Sequence, residues 1–461
     1  MEEKVDIVAL GELLIDFTEA GHSQGGRKLF EQNPGGAPAN LLTVASHFGY
    51  HTSFIGKVGN DMHGKFLKKT LQKEGINTDA IVEDPGYFTT LAFVEIGENG
   101  ERNFSFARKP GADTQLKKEE LDQMLISGCR IFHFGSLSLT DEPAESATIE
   151  AVKMAKAAGV LISYDPNYRP SLWKSKEYAV KKMKSVVELV DVMKVSDEES
   201  ILLTGAKSYE QAAEEILAMG PKLVAITLGE HGVLMATKSR KEIIKAFQTH
   251  AVDTTGAGDS FWGGVLCSIL SINKPVEKME WEEIRKCAVL GNAVAGLCVQ
   301  KRGGIPAIPT KEAVFEFMQL MIITSGIRNA VESACISVIT ANYDETYSQL
   351  REGYSGAYMY KDSGFEETID TGNVYAELDG LLGLSVEGNK HIKYKSDSIK
   401  EFAVSDMQIV MENTELAQSD TNKNLNAIIT LKVEVPVRYG GRELLPLELN
   451  MKVKAAYTPK F

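Results

Sequence analysis

Several features that define large classes of proteins are scarce or absent in this chain of 461 residues. Cysteine occurs five times, an odd number, and no two cysteines form a CxxC pair. The sequence therefore favours a reduced, cytoplasmic protein over a disulfide-stapled one. No uncharged apolar run approaches about 18 residues, so no transmembrane helix is expected. The first residues, MEEKVDIVALGELLIDF, lack a basic leader and carry acids within their apolar stretch, so no signal peptide is expected.

Positive charge is also in deficit. Lys and Arg number 50 against 63 Asp and Glu, which leaves a net charge of −13. Nucleic acid and anionic membranes are therefore not expected as partners, although a local basic site for a phosphorylated ligand stays compatible with this balance. Hydrophobic residues at 43% and charged residues at 25% are typical of a globular protein. The length predicts about three domains, or one large domain with an addition.

Three common catalytic signatures are missing. The sequence has no GxxxxGK[ST] loop, which excludes a P-loop kinase, and no GxSxG nucleophile elbow. No His, Cys and Asp residues cluster with metal-ligand spacing. His133 stands in an apolar stretch and is predicted to be a core residue with its hydrogen bonds satisfied.

The first two thirds of the chain alternate apolar runs with helical patterns. Runs that are apolar almost throughout are typical of strands buried on both faces of a parallel sheet. The pattern predicts an α/β fold with a doubly wound, mostly parallel sheet. The predicted strands are Val5–Leu10, Thr52–Lys57, Arg130–Phe134, Val160–Tyr164, Val190–Val195 and Leu223–Leu228.

One segment departs from this alternation. Thr89–Ile96 and Glu101–Phe106 each alternate apolar and polar residues around the turn sequence GENG. The pattern predicts a hairpin that forms a small β flap, or lid, over the α/β body. The flap is expected to comprise residues 12–34 and 88–108.

A second change of composition falls near residue 310, where the loop GGIPAIPT precedes a helical pattern. Ala313–Ile323 is amphipathic, and the helical pattern continues to about Leu350. Strand patterns follow at Ala427–Val437 and Glu448–Ala456. We therefore predict one domain over residues 1–319 and a separate C-terminal α+β unit over residues 320–461, a helix followed by strands.

The strongest chemical signal is the segment DTTGAGDSFWGG at residues 253–264. Gly256, Ala257 and Gly258 allow a tight turn that exposes backbone N–H groups, and a helical pattern follows. A helix N-terminus with free N–H groups is a site for anions. Asp259 in the first helical turn can accept the proton of a hydroxyl that attacks phosphorus. A glycine-rich turn with a capping aspartate is the simpler alternative.

A second signal is the segment NPGGAPAN at residues 33–40. Gly35 and Gly36 allow the backbone to approach a small polar ligand, and Asn40 offers a donor and an acceptor to a sugar diol. Asp16 in GELLIDF can accept hydrogen bonds from two hydroxyls. A plain turn is the alternative here.

Polar residues also follow three predicted strands, where ligands of open α/β sheets bind. Arg169 can clamp a phosphate, and Glu199 can hold water around Mg²⁺. Taken one at a time, such residues are also common as solvated loop charges. The set comprises Asp165, Asn167, Arg169, Lys194, Ser196, Glu199, Thr227, Gly229 and Gly232.

Together these motifs resemble the PfkB, or ribokinase-like, family of carbohydrate kinases over residues 5–318. The family's C-terminal pattern matches DTTGAGDSFWGGVL, and its N-terminal pattern matches NPGGAPAN followed by FIGKVGNDMHGKFL. Within the family the chain is most similar to fructokinases. The segments that carry this likeness are GELLIDF, ERNFSFARKPGAD, FHFGSLSL, SYDPNYRPSLW and KVSDEE.

The resemblance implies a ribokinase-like fold and ATP-dependent phosphorylation of a primary hydroxyl of a fructose-like sugar. It implies Asp259 as the catalytic base and a homodimer formed through the flaps. Ser196 departs from the family pattern, since many members carry Asn there in N-x-x-E, whereas Glu199 keeps the acid.

The remaining site residues follow from the same resemblance. It implies an anion hole at Gly256, Ala257 and Gly258, a sugar site at Asp16, Gly35, Gly36 and Asn40, nucleotide contacts at Thr227, Gly229 and Asn292, and K⁺ at Asp253 and Thr255.

Other functions remain open at this point. Within the family the alternatives are a 2-keto-3-deoxygluconate kinase, a ribokinase and a nucleoside kinase. A catalytically silent sugar-binding regulator on the same fold is the alternative from another class. Residues 320–461 lie outside the resemblance and predict no chemistry.

Overall fold

The computed structural model describes residues 4–96, 102–347, 358–361, 364–367, 371–396, 399–411, 425–436, 438–439, 442–443 and 446–457. The chain divides into two compact units, Met1–Phe317 and Met318–Phe461. No helix within the described residues is long and apolar enough to cross a membrane.

The first unit contains the six strands that the apolar runs predict, together with further strands. Its strands are β1 Ile7–Leu10, β2 Leu14–His22, β3 Lys28–Gly35, β4 Thr52–Gly59, β5 Ile81–Asp84, β6 Leu91–Ile96, β7 Arg102–Ala107, β8 Ile131–Gly135, β9 Leu161–Asp165, β10 Val192–Ser196, β11 Leu223–Thr227, β12 Val233–Ala236 and β13 Lys241–Ile244.

Nine of these strands form one sheet in the described part of the unit, in the order β13-β12-β11-β10-β9-β8-β1-β4-β5. All neighbouring pairs from β11 to β5 are parallel, and only the pairings of β12 with β11 and with β13 are antiparallel. The predicted doubly wound, mostly parallel fold is therefore confirmed. Every residue of β1 is fully buried, so both faces of the sheet are covered there.

Helices connect these strands and cover the sheet. Those of the first unit are α1 Ala37–His47, α2 Met62–Lys73, α3 Gln123–Gly128, α4 Ala144–Ala157, α5 Lys176–Lys184, α6 Asp197–Thr204, α7 Tyr209–Met219, α8 Ala257–Ile272 and α9 Trp281–Cys298. The helix α10, Lys311–Tyr347, begins in the first unit and ends in the second. His133 is buried and pairs with the Ser163 hydroxyl at 2.9 Å, which confirms its place in the core.

The flap is a separate four-stranded sheet in the order β3-β2-β6-β7. β6 and β7 are the predicted hairpin, and their turn at residues 97–101 lies outside the described residues. β2 and β3 add the strands expected from residues 12–34. The side chains of β2 alternate between the two faces, so Asp16 and Phe17 face opposite sides of the flap.

The second unit combines helix and antiparallel sheet, as the sequence predicts. Its elements after α10 are β14 Tyr358–Lys361, β15 Gly364–Glu367, α11 Thr371–Leu382, β16 Ser385–Glu387, β17 Lys390–Ser396, β18 Ile399–Met411, β19 Leu425–Val435, β20 Arg438–Tyr439, β21 Arg442–Glu443 and β22 Leu447–Tyr457. The main sheet has the order β16-β17-β18-β19-β22, with antiparallel pairing throughout the described strands.

The core of the second unit lies between this sheet and two helices. Ile327 and Val331 of α10 and Leu378 of α11 pack with Val404 and Ile429 of the sheet. The amphipathic pattern of Ala313–Ile323 predicts one apolar face formed by Val314, Phe317, Met318, Met321 and Ile322, and for Ile322 this is wrong. Ile322 is 70% exposed, whereas its neighbour Ile323 is 8% exposed.

Candidate active site

A cleft of about 1120 Å³ opens at the carboxyl ends of the parallel strands. β9, β10 and β11 are neighbours, so the residues that end them or follow them meet at one edge of the sheet. Most of the predicted site residues line this cleft. They are Asp16, Gly36, Asn40, Asn167, Arg169, Lys194, Ser196, Glu199, Thr227, Thr255, Gly256, Ala257, Gly258 and Asp259.

The first turn of α8 forms the floor of the cleft. Gly256 caps the helix with a φ of 73°, a left-handed conformation that glycine adopts without strain. The N–H of Ala257 donates to the Thr254 carbonyl at 3.2 Å, and that of Ser260 donates to the Gly256 carbonyl at 2.8 Å. Gly258 and Asp259 follow in the first turn of α8 and line the cleft. Because N–H groups in the first turn of a helix have no acceptor inside the helix, this turn is suited to bind an anion.

Asp259 is held from the side by Asn40. The Asn40 amide Nδ2 donates to Oδ2 of Asp259 at 2.8 Å, although 219 positions separate the two residues. Burial raises the pKa of Asp259, while Lys194, the Asn40 amide and Arg169 oppose that rise. The net pKa lies above the ordinary value for an aspartate, so the ionised carboxylate is a stronger proton acceptor than one in water.

Lys194 is the buried cation of the cleft. Its Nζ lies 2.9 Å from Oδ2 of Asp165, since β9 and β10 are adjacent. A Cβ at Gly258 would approach this Nζ to 2.7 Å, so glycine there lets the ammonium reach the first turn of α8. Burial lowers the pKa of Lys194, but Asp165, Glu199 and Asp259 together raise it above its ordinary value, so the side chain stays charged.

Glu199 ties two segments of the cleft wall together. Its carboxylate accepts hydrogen bonds from the backbone N–H of Tyr168 at 2.6 Å and of Ser196 at 2.8 Å. The Ser196 hydroxyl accepts from the Glu199 N–H in return, which forms a capping box at the start of α6. Thr227 ends β11 directly opposite Ser196.

Asp16 and the Gly35-Gly36 pair lie at the other end of the cleft. A Cβ at Gly35 would stand 2.2 Å from Oδ2 of Asp16, and one at Gly36 would stand 2.4 Å from the Glu12 carbonyl. Only glycine allows this close approach. Gly35 therefore supports the wall behind Asp16, although it does not line the cleft itself.

Five other predicted residues also lie outside the cleft lining, and one of them is Asp165, the partner of Lys194. Gly229 and Gly232 belong to the turn after β11, and Asn292 donates to the backbone carbonyls of Ile244 and Lys245 at 3.3 and 3.0 Å. Asp253 is buried, and its carboxylate accepts from the N–H groups of Thr255 at 2.7 Å and Gly303 at 3.0 Å. It therefore holds together the two loops beside α8.

Sequence reasoning missed Glu12, a buried side chain in the wall of the cleft. Its Oε1 accepts from the Ala37 N–H at 3.0 Å, and its Oε2 is buried without a hydrogen-bond partner among the described residues. Burial raises the pKa of Glu12 to about 7. Glu12 belongs to the segment GELLIDF, but the sequence pattern there does not indicate whether this side chain is buried in the cleft wall or exposed at the surface.

Two aromatic residues of the lining were missed as well. Phe106 comes from β7 of the flap, and Tyr168 comes from the loop after β9. Both rings lie against a cleft whose other predicted residues are polar. Their apolar surface suits the carbon face of a sugar.

Comparison with known proteins identifies the fold and the family. Residues 4–311 match the pfkB family of carbohydrate kinases. The chain belongs to this family. It is therefore a phosphotransferase that acts on a sugar hydroxyl, and the prediction of an enzyme is confirmed.

Individual relatives agree with this assignment. The chain is 42% identical over 315 residues to probable fructokinase-4 of Arabidopsis thaliana, which covers 68% of this chain and 96% of that protein. A fructokinase from Xylella fastidiosa with bound ATP has a TM-score of 0.64 at 31% identity, covering 69% of this chain and 99% of that one. A fructokinase from Vibrio cholerae O395, bound to fructose, ADP and calcium ion, has a TM-score of 0.63 at 31% identity, covering 68% and 99%.

Proposed function

We propose that the chain transfers the γ-phosphoryl group of ATP to a primary hydroxyl of a fructose-like sugar. The observation that carries this proposal is the position of Asp259, a carboxylate at the N-terminus of α8 in a cleft with polar residues at both ends. The curated relative and the two solved structures described above are named as fructokinases, which supports fructose as the acceptor.

The reaction needs one proton acceptor and one site for developing negative charge. Asp259 takes the proton of the attacking hydroxyl while the new O–P bond forms. The bond between the γ-phosphorus and the bridging oxygen breaks, and ADP leaves with that oxygen. The N–H groups of Gly258 and Asp259, together with Lys194 and Arg169, stabilise the charge on the transferring group.

The two ends of the cleft have different partners in this proposal. Asp16, Gly36 and Asn40 bind the sugar, and Gly35 supports the wall behind Asp16. Thr227 and Ser196 contact the nucleotide, with Gly229 and Gly232 shaping the turn beside it. Asn292 was expected at the nucleotide, but its amide is already engaged by backbone carbonyls. Its role there stays a prediction.

Metal ions are part of the proposal. No group of three or more acidic, His or Cys side chains among the described residues is arranged to hold a metal. We propose that Mg²⁺ arrives with the ATP phosphates and keeps its waters, with Glu199 as the nearby carboxylate. Bound Mg²⁺ would neutralise phosphate charge. The buried Asp253 carboxylate and the Thr255 backbone fit a monovalent cation such as K⁺.

Cellular setting and assembly complete the proposal. All five cysteine thiols are buried and unpaired, as in a reducing compartment, so we place the protein in the cytoplasm.

We also propose a homodimer formed through the flap, where Phe30 and Phe93 are 42% and 39% exposed.

The direct test is an ATP-consumption assay over fructose, ribose, 2-keto-3-deoxygluconate and adenosine. The proposal predicts the highest kcat/KM for fructose, because the polar residues around Asp16 match a polyhydroxylated ligand. Turnover of adenosine with none of fructose would overturn the substrate assignment and leave a nucleoside kinase. Turnover of 2-keto-3-deoxygluconate or ribose in preference to fructose would assign one of the other two family alternatives.

A further inference from the structure

We propose that Glu12 is a positioning residue that fixes the two sides of the sugar site relative to each other. One side is Asp16 on β2, and the other is Gly36 with Asn40 at the start of α1. The inference rests on the proposed function, which places the sugar at these three residues. It assigns a role to a buried acid that the transfer step does not use.

Glu12 lies in the short link between β1 of the main sheet and β2 of the flap. The antiparallel pairing of β2 with β3 sets Leu14 opposite Gly35. The same register, continued by two residues, sets Glu12 opposite Ala37, which is the first residue of α1. Glu12 therefore stands at the point where the ladder between the two strands ends and the helix begins.

The side chain of Glu12 caps the helix at this point. Its Oε1 accepts a hydrogen bond from the Ala37 N–H at 3.0 Å. Gly36, which precedes the helix, has no side chain to provide a cap, and Pro38 in the first turn has no N–H to donate. Glu12 thus caps α1 from 25 positions upstream, and a helix N-terminus favours a carboxylate as its acceptor.

The backbone of Glu12 constrains the same turn. A Cβ at Gly36 would stand 2.4 Å from the Glu12 carbonyl oxygen, so the two backbones are in close contact. The Asn40 N–H donates to the Gly36 carbonyl at 3.0 Å, so the position of Asn40 follows that of Gly36. Glu12 is 3% exposed, and its carbonyl and its carboxylate together hold the turn that presents both residues to the cleft.

Two buried charges face Glu12 from the base of the flap. Arg108 follows β7, and its Nε donates to Oδ2 of Asp113 at 2.7 Å. Burial has the largest effect on Glu12 and raises its pKa to about 7, while backbone hydrogen bonds and Arg108 oppose that rise and Asp113 adds to it. At pH 6 the side chain is therefore mostly the neutral acid. Glutamine has the shape of that acid and keeps a carbonyl oxygen for the Ala37 N–H.

The test compares four variants of the full chain at pH 6. Glu12→Leu removes the acceptor, Glu12→Asp withdraws it from Ala37 by one methylene, and Glu12→Gln keeps it. Asp191→Leu is the matched control, because Asp191 is 8% exposed and accepts the Ile162 N–H at 2.9 Å, next to the amino end of β10. The measurements are kcat, KM for fructose and for ATP, calorimetric affinity for fructose without ATP, and Tm.

We expect Glu12→Leu to raise KM for fructose and to weaken its calorimetric affinity about 10-fold, because the turn at the start of α1 loses its fixed place beside β2. Saturating fructose restores the turn, so kcat and KM for ATP should change less than about threefold. Glu12→Asp should show the same split more weakly, and Glu12→Gln should stay within about twofold of the wild type. Asp191→Leu should lower Tm and leave KM for fructose unchanged.

A folded Glu12→Leu variant with an unchanged KM for fructose would overturn the inference. An equal rise in KM for fructose and for ATP would overturn it as well, because Glu12 would then support the fold in general. If the leucine variant does not fold, Glu12→Asp decides by the same split. Failure of the proposed function would look different, since the wild type itself would then phosphorylate no fructose, whichever residue stands at position 12.

Discussion

At the scale of single residues, the cleft concentrates opposite charges at the point of phosphoryl transfer. Asp259 and Asp165 stand near Lys194 and Arg169, and Lys194 is 6% exposed. A buried ammonium beside a buried carboxylate is costly unless both are hydrogen-bonded, and here Asp165 also accepts the Asn167 N–H at 3.2 Å. We infer that this pair is retained because it presents a fixed positive charge to the phosphate.

Glu12 yields a prediction about stability. Burial raises its pKa from 4.5 to about 7, so the folded state holds a proton that the unfolded state releases earlier. The resulting stabilisation is complete below pH 4.5 and is lost as the pH rises to about 7. Over that range the wild type should lose roughly 3 kcal/mol of unfolding free energy relative to Glu12→Gln. This corresponds to a relative fall in Tm of roughly 5 °C for a unit of this size.

The measurement is thermal unfolding of both proteins at pH 4.5, 6 and 8. Glu150→Gln is the control, because the Glu150 side chain is 39% exposed. A difference in Tm between wild type and Glu12→Gln that stays constant with pH would contradict the buried, protonated state of Glu12.

Residue roles were predicted from the sequence where a motif is local, and missed where the role depends on distant contacts. The anion site needs only the consecutive residues 256–259, and these lie together at the start of α8. The partner of Asp259 is 219 positions away, and no pattern in the sequence links the two. Glu12 was overlooked for a similar reason, since its burial depends on the packing of the flap and α1.

At the scale of secondary-structure elements, the flap exposes aromatic surface on the face opposite Asp16. Phe17 and Phe93 stack at 5.3 Å, and Phe30 contacts Phe93 edge to face at 6.0 Å. Half-exposed aromatic rings in a cluster are typical of surfaces that bind another protein. This supports the proposed pairing of flaps in a homodimer.

We predict that the wild-type chain is a dimer by light scattering and that Phe93→Ser shifts it toward monomer. The substitution removes the ring at the centre of the cluster and leaves the cleft face unchanged. Phe315→Ser is the matched control, because Phe315 is 50% exposed and lies on α10. A wild type that is monomeric at micromolar concentration would rule out the flap dimer.

The six strands predicted from apolar runs are present, whereas two weakly patterned strands were missed. The six predicted strands of the main sheet all exist, with ends that differ by one or two residues. β13 and β17 were missed because each strand has a single buried residue, Ile244 in β13 and Ile392 in β17. A strand with one buried side chain has almost no periodicity for a sequence to show.

At the scale of the whole molecule, the family match ends at residue 311, and the first compact unit ends at Phe317. Every proposed catalytic and binding residue precedes that point. Beyond it, Ile323 and Ile327 belong to the core of the second unit. We therefore retain the division into residues 1–319 and 320–461 as a proposal.

A chain that ends after Gln319 should fold and keep its kinase activity, because it retains the whole first unit and Val314, which is fully buried. A second chain that ends after Ile323 controls for the position of the cut within α10. The measurements are circular dichroism, Tm and kcat/KM for fructose. If both truncated chains are folded but inactive, the second unit is part of the enzyme and the division is wrong.

The most direct test of the central claim is a comparison of wild type and Asp259→Asn on fructose and ATP. The products are followed by phosphorus NMR, and fructose binding by calorimetry. The asparagine keeps the size of the side chain and cannot accept the proton. We predict that the wild type forms a fructose monophosphate at a primary hydroxyl and that kcat of the variant is about 10²- to 10⁴-fold lower, with sugar affinity kept. Near-normal turnover by Asp259→Asn would contradict the account.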